Sequence, residues 1–133
     1  MANKYLIVDD DAAIRDLLCL LFDGDAEIVC AANGLEALEL TKKYQFDLVL
    51  SDINMPIMDG IEFCEHALAA NREFSAHLVI LTGNPSKRVL SFCQRNRISL
   101  FNKPVSVFAL KEAVNLMLKE NESQGKTQRE SMC

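Results

Sequence analysis

Leu48-Val49-Leu50-Ser51-Asp52 is an apolar run that ends on a carboxylate, and three other segments of the chain follow the same pattern. The other runs are 5–8 before Asp9 and Asp10, 78–81 before Thr82, and 98–101 before Asn102-Lys103-Pro104. Runs of this kind are typical of strands buried in a parallel sheet, and ligands of open α/β sheets bind beyond the carboxyl ends of such strands. The sequence therefore predicts a meeting point of three carboxylates, a hydroxyl and an ammonium group, which suits a cation and a phosphoryl group.

Composition and charge narrow the class of protein. The chain has 133 residues, of which 50% are hydrophobic and 25% charged, enough for one domain with a substantial core. A net charge of -5 disfavours direct nucleic-acid binding, which needs clustered Lys and Arg. No apolar run is long enough to cross a bilayer or to form a signal peptide. We therefore expect no membrane insertion and a cytoplasmic location.

The cysteines give no framework for a disulfide-rich fold or a zinc site. They are five in number, widely spaced and without a Cys-x-x-Cys pair, at positions 19, 30, 64, 93 and 133. Four lie in apolar segments, where a free Cys behaves as a small hydrophobe. Reduced thiols in a cytosolic protein are the favoured interpretation.

Apolar runs alternate with helical periodicity five times along the chain. A fifth strand candidate is 27–32, and helices are expected after Asp11, Asn33, the 53–60 loop, Ser86 and Ser106. This alternation predicts an α/β fold, a doubly wound parallel sheet of five strands covered by five helices. Periodicity ends near residue 120, so we expect a domain over 1–120 and a flexible polar tail over 121–133.

Four motifs carry a resemblance to a known family. Residues 7–10, 50–60, 81–83 and 103–104 resemble the motifs of receiver domains in two-component response regulators, as found in stand-alone chemotaxis regulators. The resemblance covers about residues 4–120. It implies a flavodoxin-like fold with strand order 2-1-3-4-5. It also implies a phosphorelay function, in which Asp52 accepts a phosphoryl group from a sensor histidine kinase or a histidine phosphotransfer protein and so switches binding to a downstream protein.

The resemblance also implies a role for each site residue. Mg²⁺, for which Mn²⁺ can substitute, would be held by Asp10, Asp52 and the Asn54 backbone carbonyl, with Asp9 acting through water. Lys103 and Thr82 would each contact a phosphoryl oxygen, and the Lys103–Pro104 peptide bond would be cis. These assignments agree with general chemistry, because a carboxylate can accept a phosphoryl group and Mg²⁺ prefers oxygen ligands. Such a protein is not an enzyme in the usual sense, since it acts only on its own phosphorylation and dephosphorylation.

One position departs from the family pattern. Leu100 stands three residues before Lys103, where the family has a switching aromatic, and Phe101 should point to the other face of the sheet. We expect output through Thr82, the 83–86 loop and the fourth helix. The resemblance implies a docking face for partner proteins on the fourth helix, the fifth strand and the last helix. Two alternatives stay open: a receiver-like module that binds partners without phosphorylation, and a metal-dependent phosphohydrolase with an aspartyl nucleophile. The phosphohydrolase would normally have a carboxylate where Asn54 stands.

Overall fold

The computed structural model describes the backbone of residues 3–132 and the side chains of residues 3–122. One parallel sheet has the strand order β2-β1-β3-β4-β5, as predicted. Its strands are β1 Asn3–Val8, β2 Ala26–Ala31, β3 Leu48–Ser51, β4 Leu78–Thr82 and β5 Ser99–Asn102. The helices are α1 Ala12–Leu21, α2 Gly34–Lys43, α3 Gly60–Ala70, α4 Lys87–Asn96 and α5 Val107–Met132. A short 3₁₀ helix, Arg72–His77, was not predicted.

Helices cover both faces of the sheet, because neighbouring side chains of a strand point to opposite faces. On β1, Leu6 and Val8 pack in the hydrophobic layer that contains Phe63 of α3 and Phe92 of α4. The intervening residues of β1 pack in a second layer; its helical members are Leu18 of α1 and Leu110 and Val114 of α5. The doubly wound arrangement predicted from the alternation of runs is therefore confirmed.

The departure at Leu100 has the consequence expected from strand alternation. Leu100 packs against the layer formed with α3 and α4, whereas Phe101 packs against the layer formed with α1 and α5. The aromatic ring of Phe101 therefore lies on the opposite face of the sheet from Leu100, as predicted.

Side-chain caps fix where the helices begin. Asp11, Asn33 and Ser86 accept hydrogen bonds from the first-turn amides of α1, α2 and α4, as their spacing predicts. At α2, Glu36 also accepts a hydrogen bond from the Ala32 amide at 2.7 Å, a reciprocal arrangement close to a capping box. The α3 helix is capped by Asp59, which the sequence analysis placed in the 53–60 loop.

The last helix passes the predicted domain boundary without a break. It runs to Met132, and the Asn121 side chain donates a hydrogen bond of 2.9 Å to the Ala76 carbonyl. Packing against the 3₁₀ helix thus reaches residue 121, the first residue of the predicted tail. The side chains of 123–133 lie outside the described residues, so the division into a 1–120 domain and a 121–133 tail stays a prediction.

Candidate functional site

The site lies at the carboxyl ends of the strands, where backbone hydrogen bonds position the first residue after β1, β3 and β5. Beyond β1 and β3, the amides of Asp9 and Asp52 bond to the Ala31 and Val8 carbonyls at 3.1 and 2.9 Å. Beyond β5, the Lys103 amide bonds to the Thr82 carbonyl at 2.8 Å. Sheet pairing therefore continues one residue past β1, β3 and β5 and places these residues at one edge, as predicted from the runs.

Three carboxylates meet at this edge. Asp9, Asp10 and Asp52 each offer an oxygen that lies within 4.8 Å of the other two. Asp9 and Asp52 are buried, with 2% and 9% exposure, whereas Asp10 is exposed. Carboxylates this close repel one another, and a hard divalent cation that takes oxygen ligands would relieve the repulsion. The donor set therefore fits Mg²⁺.

Lys103 joins two of the carboxylates. Its Nζ lies 2.9 Å from Asp9 Oδ2 and 3.3 Å from Asp52 Oδ2. Burial alone would lower the pKa of Lys103, but the hydrogen bond to Asp9 and the charge of Asp52 outweigh burial and raise it. The ammonium group therefore stays charged and partly compensates the acidic cluster.

The pKa of the Asp52 carboxyl group is subject to opposing effects. Burial raises the pKa of its carboxyl group, and the charge of Asp9 acts in the same direction. The Ile53 amide, which donates to Asp52 Oδ1 at 2.7 Å, and Lys103 lower that pKa but do not reverse the shift. The pKa values of Asp52 and Lys103 are therefore both raised, although the two groups form an ion pair. Burial dominates at the carboxyl group, whereas the interactions with Asp9 and Asp52 dominate at the ammonium group. A bound cation would act against this shift and favour the ionised form of Asp52.

Two glycines make close backbone contacts with the loop that follows Asp52. The Gly60 amide donates to the Ile53 carbonyl at 2.8 Å, and the Gly34 amide donates to the Met58 carbonyl at 2.9 Å. A Cβ at Gly60 would overlap the Asp52 carbonyl, and one at Gly34 would lie 2.6 Å from the Met58 carbonyl oxygen. The starts of α2 and α3 therefore hold the 53–59 loop in place. The sequence analysis placed Gly60 in the 53–60 loop, whereas it is the first residue of α3, and gave Gly34 no role.

The remaining predicted site residues come from the end of β4 and from the 53–59 loop. Thr82 is 1% exposed at the end of β4 and is paired in register with Asn102. Asn54 is exposed in the 53–59 loop. The Lys103–Pro104 peptide bond is cis, which confirms the prediction.

Sequence analysis missed a contact between Arg15 and the backbone of Asp9. Its Nη1 donates to the Asp9 carbonyl at 2.6 Å, and the Asp11 amide donates to Asp9 Oδ1 at 2.9 Å. Arg15 thus ties α1 to the backbone of a site residue. An arginine on a helix has no sequence signal for such a contact, because it depends on where α1 crosses the end of β1.

Comparison with known proteins agrees with this geometry. The family model described as "Response regulator receiver domain" matches residues 5–115. Sporulation initiation phosphotransferase F of Bacillus subtilis is 34% identical over 128 residues, which are 91% of this chain and 99% of that protein. Chemotaxis protein CheY of Halobacterium salinarum is 44% identical over 85 residues, 62% of this chain and 68% of that protein.

A solved structure shows the same fold. The CheY-like response regulator receiver domain protein from Methanospirillum hungatei JF-1 superposes with a TM-score of 0.85 at 31% identity, covering 93% of this chain and 99% of that one. The chain belongs to the response regulator receiver domain family, and its fold and family place it in two-component, phosphorelay signalling. Among the described residues, no helix has the length and apolar character needed to span a membrane.

Proposed function

We propose that Asp52 accepts a phosphoryl group from the phosphohistidine of a sensor histidine kinase or a histidine phosphotransfer protein. The reaction requires Mg²⁺ or Mn²⁺, and its product binds a downstream protein differently from the unmodified chain. The observation that carries this proposal is the position of Asp52. Its carboxylate is largely buried, lies 3.3 Å from a charged lysine, and shares a possible cation site with two other carboxylates.

The chain's own residues supply most of the chemistry. An Asp52 oxygen attacks phosphorus, an O–P bond forms, the N–P bond to the donor imidazole breaks, and the imidazole leaves after taking a proton. Lys103 is already charged and can move from Asp52 to a phosphoryl oxygen while it keeps its hydrogen bond to Asp9. The Thr82 hydroxyl is proposed to donate to another phosphoryl oxygen.

The cation would occupy the acidic side of the site. We assign its ligands as Asp10, Asp52 and the Asn54 backbone carbonyl, with Asp9 acting through water. When bound, Mg²⁺ supplies positive charge that offsets the charge of the phosphoryl oxygens. The crowded carboxylates of Asp9, Asp10 and Asp52 support this assignment.

We propose that phosphorylation changes partner binding through Thr82, the 83–86 loop and α4 rather than through a switching aromatic side chain. Leu100 supports this route, because an aliphatic side chain cannot provide the hydroxyl or ring that the family uses there. Exposed apolar side chains support a docking face on α4, β5 and α5. Leu90 is 48% exposed and Phe108 is 70% exposed.

We also propose that the chain turns over no external substrate and works in the cytoplasm. The position two residues after Asp52 holds Asn54, which cannot act as the second acid-base carboxylate of a phosphohydrolase. The four cysteines among residues 3–122 are free thiols, which suits a reducing compartment.

Intact-mass measurement after incubation with acetyl phosphate and Mg²⁺ tests the proposal. We expect one adduct of about 80 Da on the wild-type chain, lost when Mg²⁺ is chelated and absent from Asp52→Asn. Asp11→Asn is the matched control, because it removes one neighbouring charge and leaves a residue that still caps α1. An adduct that persists in Asp52→Asn would refute the assignment of Asp52. Folded wild-type chain that takes up no phosphoryl group would favour the module that binds partners without phosphorylation.

A further inference from the structure

Two thiols lie in contact on the flank of the domain. Cys19 is on α1 and Cys30 is on β2, the edge strand next to β1, and their Sγ atoms are 3.5 Å apart. Cys30 is exposed and Cys19 is half-buried. The Sγ–Sγ distance is close to a van der Waals contact, and a disulfide bond needs about 2.05 Å. The two sulfur atoms would therefore have to approach each other by about 1.5 Å to form a disulfide.

We propose that Cys19 and Cys30 form a reversible intramolecular disulfide when the folded chain meets a low-molecular-weight disulfide such as oxidised glutathione. The proposal concerns a modification site away from the acidic cluster and does not depend on phosphorylation.

The reaction proceeds by two thiol–disulfide exchanges. The exposed Cys30, as thiolate, attacks one sulfur of the reagent, forms a mixed disulfide and releases one glutathione thiol. The Cys19 thiolate then attacks Cys30 Sγ, closes the intramolecular bond and releases the second glutathione. In the net reaction two protein thiols are oxidised and lose two hydrogens, and one glutathione disulfide is reduced to two thiols.

Proximity, rather than thiolate character, selects this pair. Partial burial of the Cys30 thiol, followed by its contact with Cys19, raises the pKa of Cys30 to about 11, so the first exchange is slow at neutral pH. Once the mixed disulfide forms, the second thiol is already in contact, and an intramolecular step of this kind is strongly favoured. Cys64 and Cys93 are buried in the hydrophobic layer of α3 and α4, where a polar reagent has no access.

The bond would fasten one end of α1 to the edge of the sheet. Cys19 lies near the C-terminal end of α1, whereas Asp11 and Arg15 contact Asp9 from the first half of that helix or just before it. The disulfide should therefore leave phosphoryl uptake from acetyl phosphate unchanged within about twofold. It should raise the melting temperature, because it constrains the unfolded chain.

Oxidation of the folded Cys133→Ser variant tests the proposal without interference from the thiol at residue 133. We expect a species lighter by about 2 Da after treatment with oxidised glutathione, returned to its original mass by dithiothreitol. Protease cleavage after Glu27 cuts the chain between the two cysteines. The fragments holding Cys19 and Cys30 should therefore stay joined until they are reduced.

Single substitutions in the same background complete the test. Cys19→Ser and Cys30→Ser should each lose the lighter species, and Cys19→Ser should keep a glutathione adduct of about 305 Da on Cys30. The proposal is overturned if the fragments separate without reduction, or if a different pair of cysteines is joined. It is equally overturned if folded chain stays reduced while urea-unfolded chain is oxidised.

Discussion

Lys103 distributes its charge over two of the three carboxylates in the acidic cluster. Its Nζ contacts Asp9 and Asp52, while Asp10 is exposed and takes part in none of the ion pairs found among the described residues. In the absence of a cation, Asp10 therefore adds a negative charge that only solvent screens.

Replacing Asp10 with Asn should stabilise the chain when no divalent cation is present. Removal of one repelling charge at a partly solvated site should raise the free energy of unfolding by about 0.5 kcal/mol. Urea unfolding in the presence of a chelator measures the change. Asp11→Asn is the control, because it removes one negative charge just outside the cluster and retains the cap of α1. It should change the free energy of unfolding less than Asp10→Asn does. A lower stability for Asp10→Asn would contradict the account of charge crowding.

Ile57 occupies a backbone conformation that costs free energy. Its φ is 71°, in the left-handed region that β-branched residues rarely adopt, and its side chain is 77% exposed and so gains little from burial. Ile57→Asn should raise the free energy of unfolding by about 1 kcal/mol, because Asn tolerates this region better. Ile57→Val keeps the β-branch and should leave stability near that of wild type. Thermal or urea unfolding of both variants measures the effect. An equal increase in the free energy of unfolding for Ile57→Val and Ile57→Asn would contradict this explanation.

At the scale of elements, Gly60 fixes how the 53–59 loop lies against the start of α3. Gly60→Ala would place a Cβ against the Asp52 carbonyl, so the loop or the start of α3 must shift. We expect a loss of about 2 kcal/mol in the free energy of unfolding. Gly83→Ala is the matched control. A Cβ at Gly83 meets no atom within 4 Å, so this variant should unfold at close to the wild-type urea concentration. Equal losses in both variants would show that the close approach at Gly60 is unimportant.

Local signals in the sequence predicted most elements and some of their ends. Asn33 and Ser86 identified helix starts, because a capping side chain bonds to a backbone amide only a few residues away. The same reasoning missed Arg15 on the Asp9 carbonyl and Gly34 against Met58, because both contacts depend on how separate elements cross. It missed the Arg72–His77 helix as well, since a short 3₁₀ segment carries no apolar periodicity.

At the scale of the whole molecule, the acidic cluster joins parts of the chain that are far apart in sequence. Asp9 and Asp10 follow β1, Asp52 follows β3 and Lys103 follows β5. Their meeting was predictable because parallel strands present their carboxyl ends at one edge. Their distances and burial were not predictable, because these depend on register across the sheet. A cation that binds the cluster therefore binds only the folded chain, in which the ends of β1 and β3 lie side by side.

Mg²⁺ should accordingly raise the melting temperature of the wild-type chain. At a concentration about tenfold above the dissociation constant, linkage gives roughly 1.4 kcal/mol, or about 5 °C for a domain of this size. Differential scanning calorimetry at constant ionic strength measures the shift, with NaCl replacing MgCl₂ in the reference. Asp10→Asn removes a proposed ligand and should lose most of the shift, whereas Asp11→Asn should retain it. A shift of equal size in both variants would mean that Mg²⁺ acts through general screening, because specific binding at the strand ends requires Asp10 and not Asp11.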